Sequence, residues 1–78
     1  MSRLSLEEPV IITTSTGQRY RAVVEEGVVA ISYEDNERWR RDGEGTWDGS
    51  EIIDCNSDLG EDGFDLLNTA ILEAVAEQ

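Results

Sequence analysis

Oxygen-bearing side chains recur at alternate positions in one short stretch of this chain. Asp54, Asn56 and Asp58 are followed by Asp62 and Asp65. Counted from Asp54, these residues fall where an EF-hand loop places its ligands. Ca²⁺ takes roughly six to eight oxygens, and alternating carboxyl and amide groups can wrap it. Three features depart from that pattern. Leu59 stands where the sharp turn needs glycine, with Gly60 one residue late. Glu61 stands at an apolar position, and Asp65 replaces the bidentate glutamate. The segment before the loop also reads as a strand rather than a helix. A polar turn leading into a helix is the competing reading, with Asp62 as N-cap and Asp65 favoured by the helix dipole. Calcium binding through Asp54, Asn56, Asp58 and Asp65 is the alternative function, as a small calcium-binding or scaffold module. The main reading expects no metal and no cofactor.

Other chemistry is scarce. The chain has no histidine, so neither a Ser-His-Asp nor a Cys-His nucleophile system can form within it. The single Cys55 has Asp54 and Asp58 close in sequence, and a reactive thiol wants cationic neighbours instead. It reads as a small, partly buried apolar residue. Two carboxylates can divide acid and base roles, but nothing marks such a pair or a cleft. The chain is expected not to be an enzyme.

Charge is the strong signal. Eighteen Asp and Glu stand against six Arg and no Lys, a net charge of -12. From Asp42 onward there are eleven acidic residues and no basic one. Such a chain does not bind DNA or anionic lipid through a basic surface. It also exceeds the magnitude of about 2–8 that solubility asks of a small domain, and the excess costs stability through self-repulsion. Attraction to a basic protein surface gives it a purpose. Proteins that grip nucleic acid carry such surfaces. Alternate carboxylates on a strand recur about every 6.6 Å, a row of anions where phosphates would lie. Asp42, Glu44, Asp48, Glu51, Asp58, Glu61 and Asp62 are the candidate partner-binding residues. The competing reading is an acidic, soluble domain from an organism that favours acidic proteins.

In its 78-residue length, its acid-only stretch from Asp42 to Gln78 and its lack of catalytic groups, the chain resembles phage-encoded inhibitors of bacterial defence, above all anti-CRISPR proteins. The resemblance is one of class and carries no motif. It implies a non-enzymatic DNA mimic that occupies the nucleic-acid site of a Cas protein or Cascade complex. The implied partner is a basic nucleic-acid-binding protein, with no direct nucleic-acid binding by the chain itself.

The elements that must position these residues follow from pattern. Residues 1–7 read as a flexible arm and 8–78 as one domain. Val10–Thr14 is a β-branched run, Arg19–Val24 alternates with Tyr20, Ala22 and Val24 on one face, and Val28–Tyr33 follows a tight turn. Loops this short make an antiparallel meander. Residues 34–50 admit helical turns or a hairpin at Asp42-Gly43. The hairpin is preferred because it sets Trp39 opposite Trp47. The two tryptophans read as cover for the core edge, and Arg38, Arg40 and Arg41 as partners for nearby carboxylates. Glu51–Cys55 is a further strand segment. The last element is a helix capped at Asp62, burying Phe64, Leu67, Ala70, Ile71, Ala74 and Val75. Strands first and helix last make an α+β fold, a small antiparallel sheet of four to five strands with one helix packed across it. No apolar run reaches the length of a membrane span or signal peptide, which reads as a cytoplasmic location in a bacterial host.

Overall fold

The computed structural model describes residues 3–77. Five strands, β1 (Val10–Thr13), β2 (Arg19–Glu25), β3 (Val28–Asp35), β4 (Arg38–Trp47) and β5 (Ile52–Ile53), precede one helix, α1 (Gly60–Glu77). The strands form a single antiparallel sheet in the order β1-β2-β3-β4-β5, each paired with its neighbour in sequence. This is the α+β fold expected from the pattern.

Two-residue turns set the register. Glu26 and Gly27 join β2 to β3, and Asn36 and Glu37 join β3 to β4, all four at positive φ (52°, 78°, 53° and 68°). That backbone twist matches the twist of the flanking strands. The second turn overturns the expected hairpin at Asp42-Gly43. Turning at Asn36-Glu37 lets β3 and β4 pair continuously from Val28–Thr46 to Asp35–Arg38. Trp39 therefore faces Glu34 across the strands and Trp47 faces Ile52. The register shifts by one residue between Ile31–Gly43 and Ser32–Arg41, so Asp42 is the extra residue of a β-bulge.

One face of the sheet is dry. Val10, Ile12, Ala22, Val24, Val29 and Ile31 meet Leu67 and Ile71 of α1, with Ile52 and Leu59 closing the side. The helix packs chiefly against β1. It begins two residues before the expected cap, at Gly60, whose φ of +80° turns the chain into it. Asp62 is thus inside the first turn rather than its cap. Val75, expected in the core, is 37% exposed because it lies at the margin of the buried stripe. Asn68 is half-buried and its Oδ1 accepts the Ile52 N–H at 2.9 Å.

The first two residues of the expected arm lie outside the described residues. From Leu4 the arm is anchored rather than loose. Leu4 and Leu6 pack against the core, the Leu6 N–H donates to Val24 C=O at 2.9 Å, and Leu4 C=O accepts the Gly27 N–H at 2.8 Å.

Glycine makes room for the segment between β5 and α1. A Cβ on Gly43 would lie 2.6 Å from Asn56 Oδ1, and one on Gly45 would lie 2.8 Å from Ile52 Cγ2 and 2.9 Å from Cys55 Cβ. Residues 52–57 therefore lie directly on the backbone of β4, and half-buried Cys55 packs there against the core.

Candidate acidic partner-binding surface

The seven candidate carboxylates separate into three groups. Asp42, Asp58, Glu61 and Asp62 gather at the end of the sheet that holds the turn from Thr14 to Thr16. The bulge turns Asp42 to the helix side, where its carboxylate accepts a hydrogen bond from the Ser57 hydroxyl. Asp58, Glu61 and Asp62 line a shallow groove with Tyr20 and the hydroxyl residues Thr14, Ser15 and Thr16. Tyr20 ties the group together. Its phenol is pushed above its ordinary range, first by burial and then by the negative charges of Asp42 and Asp58. The first turn of α1 places Glu61 and Asp62 at the positive end of the helix dipole.

Asp48 and Glu51 lie at the opposite end, in the turn between β4 and β5. Asp48 has a structural task there. Its Oδ1 accepts the N–H of Ser50 and of Glu51, each at 2.8 Å, and the Ser50 hydroxyl at 3.2 Å. The two backbone donors hold its carboxyl below the usual range. Glu44 is on neither end. It belongs to the face of the sheet turned away from α1, and pairs with Arg41 at 2.8 Å. The bulge separates it from Asp42, so the expected row of carboxylates two residues apart is broken between them.

The residues of the calcium alternative, Asp54, Asn56, Asp58 and Asp65, are not gathered around one centre in this structure. Asn56 is committed to β4, its Oδ1 accepting the Glu44 N–H at 3.0 Å. Asp54 sits exposed at a φ of +51° beside β5, and Asp65 is carried by α1. The segment is extended along β4 and does not wrap a centre. Among the described residues, no three Asp, Glu or Cys side chains converge on a common point.

Neutralisation is sparse. The ion pairs among the described residues are Arg19–Glu34 (2.9 Å), Arg40–Asp35 (2.7 Å) and Arg41–Glu44 (2.8 Å). Of the eleven acidic residues from Asp42 onward, only Glu44 belongs to one of these. Two arginines, one of them the Arg19 already paired with Glu34, also lie over an aromatic ring. The guanidinium carbons of Arg21 and Arg19 lie 5.0 and 5.6 Å from the centroid of Trp39. This cation–aromatic cluster was not legible in the sequence, where Trp39 reads as core cover. Tyr20 and Ser57 were missed as organisers of the acidic end. The one available signal was Gly43 and Gly45 at alternate positions of a strand, a mark of close backbone approach.

Among the described residues, no helix is long and apolar enough to cross a membrane. No family model, curated protein or solved structure matches the chain.

Proposed function

We propose that the chain is a non-enzymatic inhibitor that binds a basic, nucleic-acid-handling protein through its acidic end, in the manner of anti-CRISPR proteins that act as DNA mimics. The observation that carries this reading is the lack of internal compensation. Among the described residues, ten of the eleven carboxylates from Asp42 onward have no arginine partner, although the chain holds six arginines. The acidic end is also preorganised. Ser57 holds the Asp42 carboxylate, and the first turn of α1 fixes the backbone from which Glu61 and Asp62 project, which lessens the ordering needed on binding. Charge complementarity of this kind raises association rates, and it weakens with salt.

The partner is a Cas surveillance complex in this proposal, and the contact set is Asp42, Asp58, Glu61 and Asp62, with Asp48 and Glu51 at the far end of the molecule. The test uses a purified Cascade complex with labelled target DNA. The protein should displace the DNA, and added salt should weaken the displacement. The triple variant Asp58→Lys, Glu61→Lys, Asp62→Lys should lose displacement while keeping the circular dichroism of the wild type. Equal displacement by the folded triple variant would reject the assigned surface. Absence of binding to any Cas complex, together with binding to a different basic protein, would keep mimicry and replace the target.

A further inference from the structure

The face of the sheet turned away from α1 has no cover. It holds Ile11, Val23, Val28 and Ile53, which are 47, 39, 41 and 36% exposed. These are four of the seven large apolar residues left exposed among the described residues. The same face is electrically balanced. Its central strands carry Arg19, Arg21 and Arg41 against Glu25, Glu34 and Glu44. In a chain of net charge -12 this is a surface that a second copy can approach without meeting uncompensated carboxylates.

The charges are also arranged for self-complementarity. Consider a two-fold axis across the strands, between the Val23–Ala30–Glu44 row and the Arg21–Ser32–Arg41 row. Rotation about it lays β2 on β2 and β4 on β4 with their directions reversed. Glu25 then lies over Arg19 of the second copy and Glu44 over Arg41. Val23 meets the stem of Arg21, whose guanidinium is already held over Trp39. Packed sheets lie about 10 Å apart, within reach of these side chains.

We propose that the chain forms a symmetric dimer through this face. The central strands offer on the order of 500 Å² per copy, below the roughly 800 Å² of a standard interface, so the dimer is weak and depends on concentration. It leaves both acidic ends of each copy exposed. It does not rest on the inhibitor reading, and the two respond to salt in opposite directions. Salt weakens binding to a basic target, whereas it strengthens the dimer by screening repulsion between two acidic chains.

Sedimentation equilibrium of the full chain, in low and in high sodium chloride, tests this. The expected result is a monomer–dimer equilibrium that tightens in high salt. Val23→Asp should abolish the dimer, and Leu72→Asp on the exposed side of α1 should leave it intact. Glu25→Arg and Arg19→Glu should each raise the dimer Kd by roughly tenfold, and the two together should restore it. A single species of 8.7 kDa at every concentration up to about 1 mM, in both salts, would overturn the proposal. So would a dimer that is indifferent to Val23→Asp but broken by Leu72→Asp. Circular dichroism of each variant separates lost association from lost folding.

Discussion

Gly45→Ala isolates the close passage of residues 52–57 over β4. Gly45 is buried and does not have a positive φ, so alanine is allowed there by the backbone. Against an unfolded chain, replacing glycine by alanine stabilises by about 0.4–1 kcal/mol where the conformation fits. On propensity alone the variant should therefore gain stability. The structure requires the reverse. The added methyl would stand 2.8 Å from Ile52 Cγ2, 2.9 Å from Cys55 Cβ and 3.0 Å from Ile53 C=O. These neighbours are a buried branch, a side-chain root and a backbone oxygen, none of which can swing aside. Overpacking of this kind costs about 1–3 kcal/mol. The net loss is about 1–2 kcal/mol, which lowers Tm by roughly 5–15 °C in a domain of this size. Urea unfolding followed by tryptophan fluorescence measures it directly. A cycle with Ile52→Ala adds a second check, since the double variant should lose less than the two singles together by about 1 kcal/mol. A Gly45→Ala protein as stable as the wild type, or more stable, would refute the account of how this segment sits on the sheet.

Gly63→Ala sets helix propensity against packing in the same way. Alanine gains about 1 kcal/mol within a helix, but its Cβ would lie 2.5 Å from Cδ1 and 2.6 Å from Cγ of buried Leu59. Expelling Leu59 costs about 1.5–3 kcal/mol, so thermal unfolding should show a net loss of roughly 1 kcal/mol. Asp48→Ala should destabilise the chain at neutral pH by removing the anchor of the β4–β5 turn. Because the folded carboxyl is held below its ordinary value of 3.8, its contribution is complete above that value and fades as pH falls through the lower one. The gap between wild type and variant, followed by urea unfolding across acidic pH, should therefore close on acidification. Tyr20 behaves oppositely. Its raised value means that its neutral form is favoured in the fold, so stability is complete below 10.0 and is lost as pH rises through the folded value. Ultraviolet titration should find one tyrosine ionising late, and Asp42→Asn with Asp58→Asn should move it only part of the way back, since burial is the larger cause.

What the sequence revealed and what it hid divide along physical lines. The β-branched run at Val10, the alternation through Tyr20, Ala22 and Val24, and the spacing of Leu67 and Ile71 all report burial on one side, which is a local property. The meander and the helix were legible from them. The turn at Asn36-Glu37 was not, because glutamate is an unusual residue for a positive φ. Asp42-Gly43 carries a hairpin signature and was used as a bulge instead. Placement of the acids failed for a related reason. A two-residue period assumes an unbroken strand, and the extra residue at Asp42 sends its carboxylate to one side and that of Glu44 to the other. The EF-hand-like spacing counted oxygens without knowing that Asn56 was already committed to the Glu44 amide. Net charge and its concentration after Asp42 needed no geometry and were read directly.

The meander has a consequence for the order of assembly. Each strand pairs with the one just before it, so the sheet can close hairpin by hairpin, and short-range closures of this kind are fast. The apolar side of that sheet gains Leu67 and Ile71 only when α1 folds back onto β1, joining segments from opposite ends of the sequence. During synthesis the five strands emerge first and wait, wet on the side that will be the core. Residues 10–53 carry nine acidic against five basic residues, a net charge of -4, whereas residues 54–78 add seven acidic residues and no basic one, so most of the repulsion between chains arrives with the helical segment. The segment that covers the apolar side of the sheet is thus also the one that makes the chain strongly acidic, so burial of the core and mutual repulsion of neighbouring chains are completed together.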